Sequence, residues 1–156
     1  LQNKEAVMKV SDLMSTDIVC VGEETSVLHA AREMGRENIG MLPVSSDRGI
    51  LKGVITDRDI VLRVLSSAVE KGVFPDDMSC GSIMTKDPVT VTPDTNIHDA
   101  ALIFATRQVR RLPVIDNSKL VGILSLGDMA LKPVLVDEAG DALSAISCPP
   151  GTQINK

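Results

Sequence analysis

The spacing of apolar residues along this chain changes in a fixed order, and that order occurs twice. Near the start of each copy, Val19 with Val21 and Val89 with Val91 form period-two pairs that predict a short strand. Apolar residues then recur at i, i+3, i+4 and i+7, which predicts a helix with one buried face. These helix positions are Val27, Ala30, Ala31 and Met34 in the first copy and Ile97, Ala100, Ala101 and Phe104 in the second.

Further elements follow in each copy. Thr25 and Thr95 are the expected N-caps of the two helices. In each copy, two apolar runs on either side of a short polar turn then predict a pair of strands. The pairs are 41–44 with 50–55 in the first copy and 112–115 with 120–124 in the second. A second helix is expected over 58–71, ended by Gly72, and a shorter one from Leu126 to about Lys132. The predicted order is β-α-β-β-α in each copy, an α/β (α+β) fold.

The two copies are related by an internal duplication. An offset of 70 aligns residues 13–44 with 83–114, and an offset of 69 then aligns 53–59 with 122–128. The expected organisation is repeat 1 at 9–72, a linker at 73–80, repeat 2 at 81–136 and a C-terminal tail at 137–156. Because one copy is barely large enough to be stable alone, the two are expected to pack sheet to sheet with pseudo-twofold symmetry.

Composition narrows the class of protein. Apolar residues make up 44% of the 156 residues, which is enough for a sizeable core. The three cysteines show no CxxC spacing, so neither a disulfide framework nor a metal site is predicted. No membrane span or signal-peptide pattern is present, and a cytoplasmic location is expected. A net charge of -5 with 1% aromatic residues disfavours nucleic acid as a partner.

The same short pattern marks one strand-to-helix corner in each copy, Thr56-x-x-Asp59 and Ser125-x-x-Asp128. One interpretation is structural, since a hydroxyl followed three residues later by an acid is close to a capping box. The other is functional, because a helix N-terminus favours phosphate and a nearby carboxylate can accept hydrogen bonds from ribose hydroxyls. Its occurrence at equivalent positions favours binding, and both interpretations can hold together.

At these residues the chain resembles the cystathionine β-synthase (CBS) domain family, which occurs as tandem pairs called Bateman modules. The resemblance covers roughly residues 9–132 and rests on segments 17–19 and 87–89, two Leu-Pro-Val strands and two Gly-x-x-Thr/Ser-x-x-Asp turns. It implies a regulatory module that binds AMP, ADP, ATP or S-adenosylmethionine and acts as an energy or metabolite sensor. An Arg-Arg-Leu-Pro-Val strand and a Pro-containing linker are similar to stand-alone bacterial pairs of the hypoxic-response type.

The resemblance also implies two composite sites, each built from both copies. The richer site is expected to comprise Thr56, Arg58, Asp59, Thr85, Lys86, Asp87, Pro88, Val89, Arg110, Arg111 and Pro113. The second site is expected to comprise Thr16, Asp17, Ile18, Val19, Gly40, Met41, Pro43, Ser125 and Asp128. Since the second site has glycine and methionine where the first has two arginines, a multiply charged phosphate chain is expected to prefer the richer site.

Three functional hypotheses follow. The first is an adenosine-ligand sensor, which by resemblance forms a homodimer and signals to an unidentified regulated protein. The second is a structural or protein-interaction module with vestigial nucleotide clefts, in which the two corners serve only as helix caps. The third, an enzyme, is disfavoured because the sequence shows no catalytic triad, activated Cys-His pair, metal-ligand cluster or Walker-type glycine loop. No catalytic residue and no catalytic cofactor are therefore predicted.

Overall fold

A computed structural model of the chain describes residues 6–149, apart from the side chain of residue 69; the part of the expected tail from 150 to 156 lies outside the described residues. The described strands are β1 (Met41–Ser45), β2 (Leu51–Thr56), β3 (Thr85–Lys86), β4 (Arg111–Asp116) and β5 (Lys119–Ser125). The described α-helices are α1 (Val27–Glu37), α2 (Asp57–Asp59), α3 (Ser66–Lys71), α4 (Cys80–Ile83), α5 (Ile97–Arg107), α6 (Leu126–Ala130) and α7 (Val136–Ser147).

Other helical segments connect these elements. A π-helical stretch, Ile60–Leu65, joins α2 to α3, so one helical segment extends from the end of β2 to Gly72, whose φ of 64° ends it. Short 3-10 helices lie at Val10–Asp12, Pro75–Asp77 and Pro133–Leu135. The mixed helix and strand fold and the two repeats predicted from the sequence are confirmed. No helix within residues 6–149 is long and apolar enough to span a membrane.

The first predicted strand of each copy is reduced to a single bridge. Val21 forms one parallel bridge with Val44, through hydrogen bonds from the Val21 N–H to the Pro43 carbonyl (3.0 Å) and from the Ser45 N–H to the Val21 carbonyl (2.9 Å). Val91 and Val114 form the equivalent bridge. Proline has no N–H, so the next rung of this ladder cannot form.

The predicted helix caps were wrong by one residue. The N-caps are Ser26, whose side chain accepts from the His29 N–H, and Asn96, whose side chain accepts from the His98 N–H. Thr25 instead accepts from the Gly22 N–H at 3.0 Å, and Thr95 accepts from the Thr92 N–H at 3.1 Å. Each threonine therefore closes the turn that leads into the helix, and the next residue caps the helix itself.

Contacts divide the chain into two compact units. The 18–88 unit contains Ile18–Pro88 and Asn117–Leu120; the 89–149 unit contains the described residues up to 17, Val89–Asp116 and the described residues from 121 onward. These units are defined by contacts, whereas the repeats are defined by sequence similarity, so the repeat boundaries stay a prediction.

Each unit is completed by the segment at the start of the other copy in sequence. In the 18–88 unit, β3 pairs antiparallel with β2, which lies beside β1 in a three-stranded sheet. In the 89–149 unit, β4 pairs with β5, and Ser15 forms an antiparallel bridge with Ile123. Equivalent backbone hydrogen bonds run from Cys80 to Thr25 (2.7 Å) and from Val10 to Thr95 (2.9 Å). The duplication is thus reproduced in three dimensions with exchanged leading segments.

Each unit has its own hydrophobic core. The core of the 18–88 unit is built from Val21, Val27, Ala30, Met34, Leu42, Val44, Ile55, Ile60, Val64, Cys80, Ile83 and Met84. The core of the 89–149 unit is built from Val10, Val91, Ile97, Ala100, Ala101, Phe104, Leu112, Val114, Leu124, Leu126, Met129, Leu135, Ala139 and Ala142. The predicted buried helix positions are confirmed except for Ala31, which is only partly buried.

Candidate functional site

The Thr56 corner, residues 56–59, is where β2 passes into α2. The Thr56 hydroxyl accepts a hydrogen bond from the Asp59 N–H (3.1 Å), and Asp59 Oδ2 accepts one from the Thr56 N–H (3.0 Å). These reciprocal bonds form a complete capping box. The structural interpretation of the pattern is therefore correct for this corner.

The Ser125 corner, residues 125–128, repeats this geometry where β5 passes into α6. The Ser125 hydroxyl accepts from the Asp128 N–H at 3.0 Å, and Asp128 Oδ2 accepts from the Ser125 N–H at 2.8 Å. In both corners the cap uses only Oδ2 of the carboxylate. Within residues 6–149, no hydrogen bond or ion pair involves Asp128 Oδ1. A carboxylate oxygen can accept further hydrogen bonds, so capping leaves binding capacity at the corner.

Asp59 differs from Asp128 because an arginine lies beside its second oxygen. Arg63 Nη2 is 3.4 Å from Asp59 Oδ1, and the Asp59 side chain is only 14% exposed. Arg63 Nη1 donates to the Ile83 carbonyl at 2.7 Å, and Nη2 reaches Thr85 Oγ1 at 3.5 Å. The sequence-based site did not include Arg63. Its spacing of four residues from Asp59, on a predicted helix, was the signal that could have identified it.

The close approach of β3 to β2 requires a glycine. Gly53 pairs with Lys86, and Val54 pairs with Thr85. A Cβ at position 53 would lie 2.6 Å from the Thr85 carbonyl oxygen, a distance that packed atoms do not tolerate without movement. The glycine of the Gly-x-x-Thr-x-x-Asp pattern therefore allows Thr85 and Lys86 to lie next to the strand that leads into the Thr56 corner.

The predicted richer site is divided between the two compact units. Thr56, Arg58 and Asp59 share the 18–88 unit with the segment 85–88, whereas Val89, Arg110, Arg111 and Pro113 belong to the 89–149 unit. The contacts described above bring together Thr56, Asp59 and Thr85. Asp87 has a positive φ of 49°, which turns the chain directly after β3.

The predicted second site is divided in the same manner. Thr16, Asp17, Ser125 and Asp128 lie in the 89–149 unit, and Ile18, Val19, Gly40, Met41 and Pro43 lie in the 18–88 unit. The Ser15 bridge to Ile123 holds the segment before Thr16 beside β5, the strand that ends at Ser125. Both composite assignments, which join residues of different units, stay predictions.

The two corners, one in each unit, differ in the residues that meet at the helix start. At the Thr56 corner, the Asp57 N–H donates to the Gly40 carbonyl at 3.0 Å, and Asp57 Oδ2 would lie 3.0 Å from a Cβ at Gly40. At the Ser125 corner, the Leu126 N–H donates to the Arg110 carbonyl at 2.9 Å. Asp57 and Gly40 at the Thr56 corner thus correspond to Leu126 and Arg110 at the Ser125 corner. The backbone of Arg110 lies at the Ser125 corner.

Between residues 6 and 149, no three His, Cys, Asp or Glu side chains are grouped in a way that could hold a metal ion. Cys80 lies in the core of the 18–88 unit, where burial raises the pKa of its thiol to about 11. That thiol is therefore protonated near neutral pH and is a weak nucleophile or metal ligand.

Comparisons with known proteins agree with the fold. The family model "CBS domain" matches residues 10–66 and 80–135. "CBS domain-containing protein YhcV" of Bacillus subtilis is 37% identical over 138 residues, covering 88% of this chain and 94% of that protein. "Hypoxic response protein 1" of Mycobacterium tuberculosis is 34% identical, covering 76% and 80% respectively. The structure of CBSX2 from Arabidopsis thaliana in complex with AMP aligns with a TM-score of 0.70 and 30% identity, covering 83% of this chain and 98% of that one.

Proposed function

Because the chain belongs to the CBS-domain family, as a tandem pair related to stand-alone bacterial proteins, we propose that it is a non-enzymatic regulatory module for an adenosine-type ligand. The ligand class comprises AMP, ADP, ATP and S-adenosylmethionine. The observation that carries the proposal is the pair of equivalent corners in which the cap leaves one carboxylate oxygen for other partners. The AMP complex of CBSX2, at 30% identity, supports the choice of ligand class.

Binding at a corner uses groups of known hydrogen-bonding capacity. The remaining oxygen, Oδ1 of Asp59 or Asp128, accepts from the vicinal hydroxyls of ribose. The Thr56 or Ser125 hydroxyl and the helix start favour a phosphate oxygen. At the Thr56 corner the ribose hydroxyls compete with Arg63, which already lies 3.4 Å from Asp59 Oδ1.

Calorimetric titration of the four ligands into the protein tests this proposal. We expect at least one of AMP, ADP, ATP and S-adenosylmethionine to give a saturable heat. A bound ligand also raises the melting temperature by mass action, in proportion to RT ln(1 + [L]/Kd). If all four ligands are silent at millimolar concentration in both measurements, the sensor function is refuted.

The position of Arg110 decides which corner binds the more highly charged ligand. The composite assignment places Arg110 with the Thr56 corner, whereas its backbone hydrogen bond lies at the Ser125 corner. Arg110→Gln should weaken ATP binding more than AMP binding, because a charged contact to phosphate is lost. The composite assignment is supported if Arg110→Gln still weakens ATP binding when Asp128 is replaced but no longer does so when Asp59 is replaced. If Arg110→Gln instead has its effect only while Asp128 is present, Arg110 belongs to the Ser125 corner.

The complete capping boxes favour a second candidate function. A structural or protein-interaction module needs the Thr56 and Ser125 corners only to start helices, and the observed bonds satisfy that need. Such a module shows no rise in melting temperature with any of the four ligands. The melting scan therefore separates the two functions at the lowest experimental cost.

Further elements of the proposal concern assembly and signalling. We expect a cytoplasmic homodimer that passes the state of its ligand to a regulated protein, and no binding to nucleic acid or membrane. A ligand can change the arrangement of the pair only by binding one arrangement more tightly than another. Light scattering should give the mass of a dimer; a monomer across the working concentration range contradicts this element alone.

A further inference from the structure

A cavity lies along the helical segment that follows the Thr56 corner. Its volume is about 310 Å³, at the lower end of the range of small-molecule sites. One wall is polar and the other is mostly apolar, and all of its lining residues belong to the 18–88 unit. The residues that matter for its chemistry are Arg63, Ser67, Lys71, Val73, Met78 and Met84.

The polar wall carries two cations on one helix face. Arg63, Ser67 and Lys71 follow one another at intervals of four residues, which places them in a row. Arg63 is partly neutralised, since Nη2 lies 3.4 Å from Asp59 Oδ1. The Lys71 side chain forms no ion pair or hydrogen bond within the described part of the chain. No Asp or Glu lines the cavity, so its charge favours an anion.

The opposite wall of the cavity favours an anion that also has an apolar part. Val73, Met78 and Met84 give it an apolar surface, and methionine side chains adapt to ligands of different shape. Inorganic phosphate would leave this surface without a partner, because it has no apolar part. A small molecule with one carboxylate and a short hydrocarbon chain matches both walls.

We propose that this cavity is a second ligand site, separate from the Thr56 and Ser125 corners, for small aliphatic carboxylates. The carboxylate pairs with the Lys71 ammonium, and the hydrocarbon chain lies on Val73, Met78 and Met84. The site needs no nucleotide and holds whether or not the corners bind one.

Lys71 is the residue through which the proposal can be tested cleanly. Replacing Arg63 would also disturb Asp59 and Thr85, which Arg63 contacts. Lys71 is exposed in the last turn of α3, so Lys71→Gln should leave the fold intact. Lys52→Gln is the matched control, because Lys52 is an exposed lysine of the same unit that does not line the cavity.

The experiment is a nitrogen-proton NMR titration of the full chain with sodium hexanoate, in the absence of nucleotide and at constant ionic strength. We expect saturable shifts of the amides of Ser67, Lys71 and Met84, and an affinity about threefold to tenfold weaker in Lys71→Gln than in Lys52→Gln. Inorganic phosphate and the neutral 1-hexanol should each bind more weakly than hexanoate.

Three results would overturn the proposal. They are an absence of shifts at these amides at millimolar hexanoate, equal affinities in the two lysine variants, and equal binding of hexanoate and 1-hexanol. Because no nucleotide is present, none of these outcomes depends on the function proposed for the corners.

Discussion

Replacing Gly53 by alanine should destabilise the 18–88 unit by forcing β3 away from β2. The new Cβ would lie 2.6 Å from the Thr85 carbonyl oxygen and 2.7 Å from Met84 Sδ, whereas packed non-bonded carbon atoms are most stable about 3.5 to 4.0 Å apart. An added methyl group in a packed site typically costs about 1 to 3 kcal/mol. We expect the upper part of this range, about 2 to 3 kcal/mol, because the nearest atom is backbone and cannot move without shifting the strand.

Two other glycines provide controls for this prediction. A Cβ at Gly122 would lie 2.6 Å from Met14 Sδ but 3.1 Å from the nearest backbone atom, the Ser15 carbonyl oxygen. Since a methionine side chain can rotate away, Gly122→Ala should cost only about 1 kcal/mol. Gly35 lies exposed in α1, and a Cβ there would meet nothing within 4 Å, so Gly35→Ala should stabilise by about 0.5 to 1 kcal/mol.

Urea unfolding followed by far-ultraviolet circular dichroism measures these differences. The chain contains no Trp or Tyr, so fluorescence of those residues is no substitute. A stability difference appears as a shift of the midpoint at constant slope. If Gly53→Ala loses no more stability than Gly122→Ala, the steric explanation of the β2–β3 contact is wrong.

Three further predictions concern the cores. Phe104→Ala should reduce the free energy of unfolding by about 3 to 5 kcal/mol because Phe104 is fully buried. Leu102→Ala, on the exposed face of the same helix, should change it by less than about 1 kcal/mol. Equal effects of the two substitutions in urea unfolding would contradict the assigned core. The Cys80 thiol should react with a thiol reagent only as fast as the native 18–88 unit opens, whereas the exposed Cys20 reacts at once. The pKa of the Cys80 thiol is raised to about 11 in the folded state. The protonated thiol therefore contributes its full stabilisation below the unfolded-state pKa, and this stabilisation is lost as pH rises from about 9 to 11. Cys80→Ala should remove this pH dependence from the urea midpoint.

Local elements were predictable from the sequence because apolar spacing and turn residues act over short distances. The helix after β2 ends at Gly72 as expected, and the residues predicted to be buried in α5 form part of a core. The first strand of each copy was overestimated, since the absence of an N–H on Pro43 and Pro113 limits the pairing to one bridge. Pattern alone does not show which backbone groups will face each other.

The exchange of leading segments was beyond the reach of sequence periodicity. Cys80 enters the core of the unit that contains the first copy, and Val10 enters the core of the other. In sequence, Val10 lies at the start of repeat 1 and Cys80 lies at the end of the linker, directly before repeat 2. The family resemblance placed Thr85 in one site with Thr56. The physical basis, the pairing of β3 with β2 in one unit, is visible only in the long-range contacts.

The candidate site was predictable in its motif and less so in its surroundings. Both Thr/Ser-x-x-Asp patterns lie at helix starts, as the capping preference of these residues indicates. Arg63 was missed because its contact with Thr85 depends on β3 joining β2. The residue whose backbone meets each helix start, Gly40 or Arg110, likewise depends on long-range contacts.

The carboxylate oxygen that each cap leaves unused is the group proposed to bind the sugar of an adenosine ligand. Asparagine keeps a side-chain oxygen for the cap but presents an amide donor in place of the second acceptor. AMP affinity should therefore be compared, by calorimetry, between the unchanged protein and the double variant Asp59→Asn, Asp128→Asn. We expect at least about a tenfold loss of affinity. The melting temperature in the absence of ligand should fall only slightly, because Asp59→Asn also removes the ion pair with Arg63. Equal AMP affinity in the two proteins would show that neither carboxylate binds the ribose.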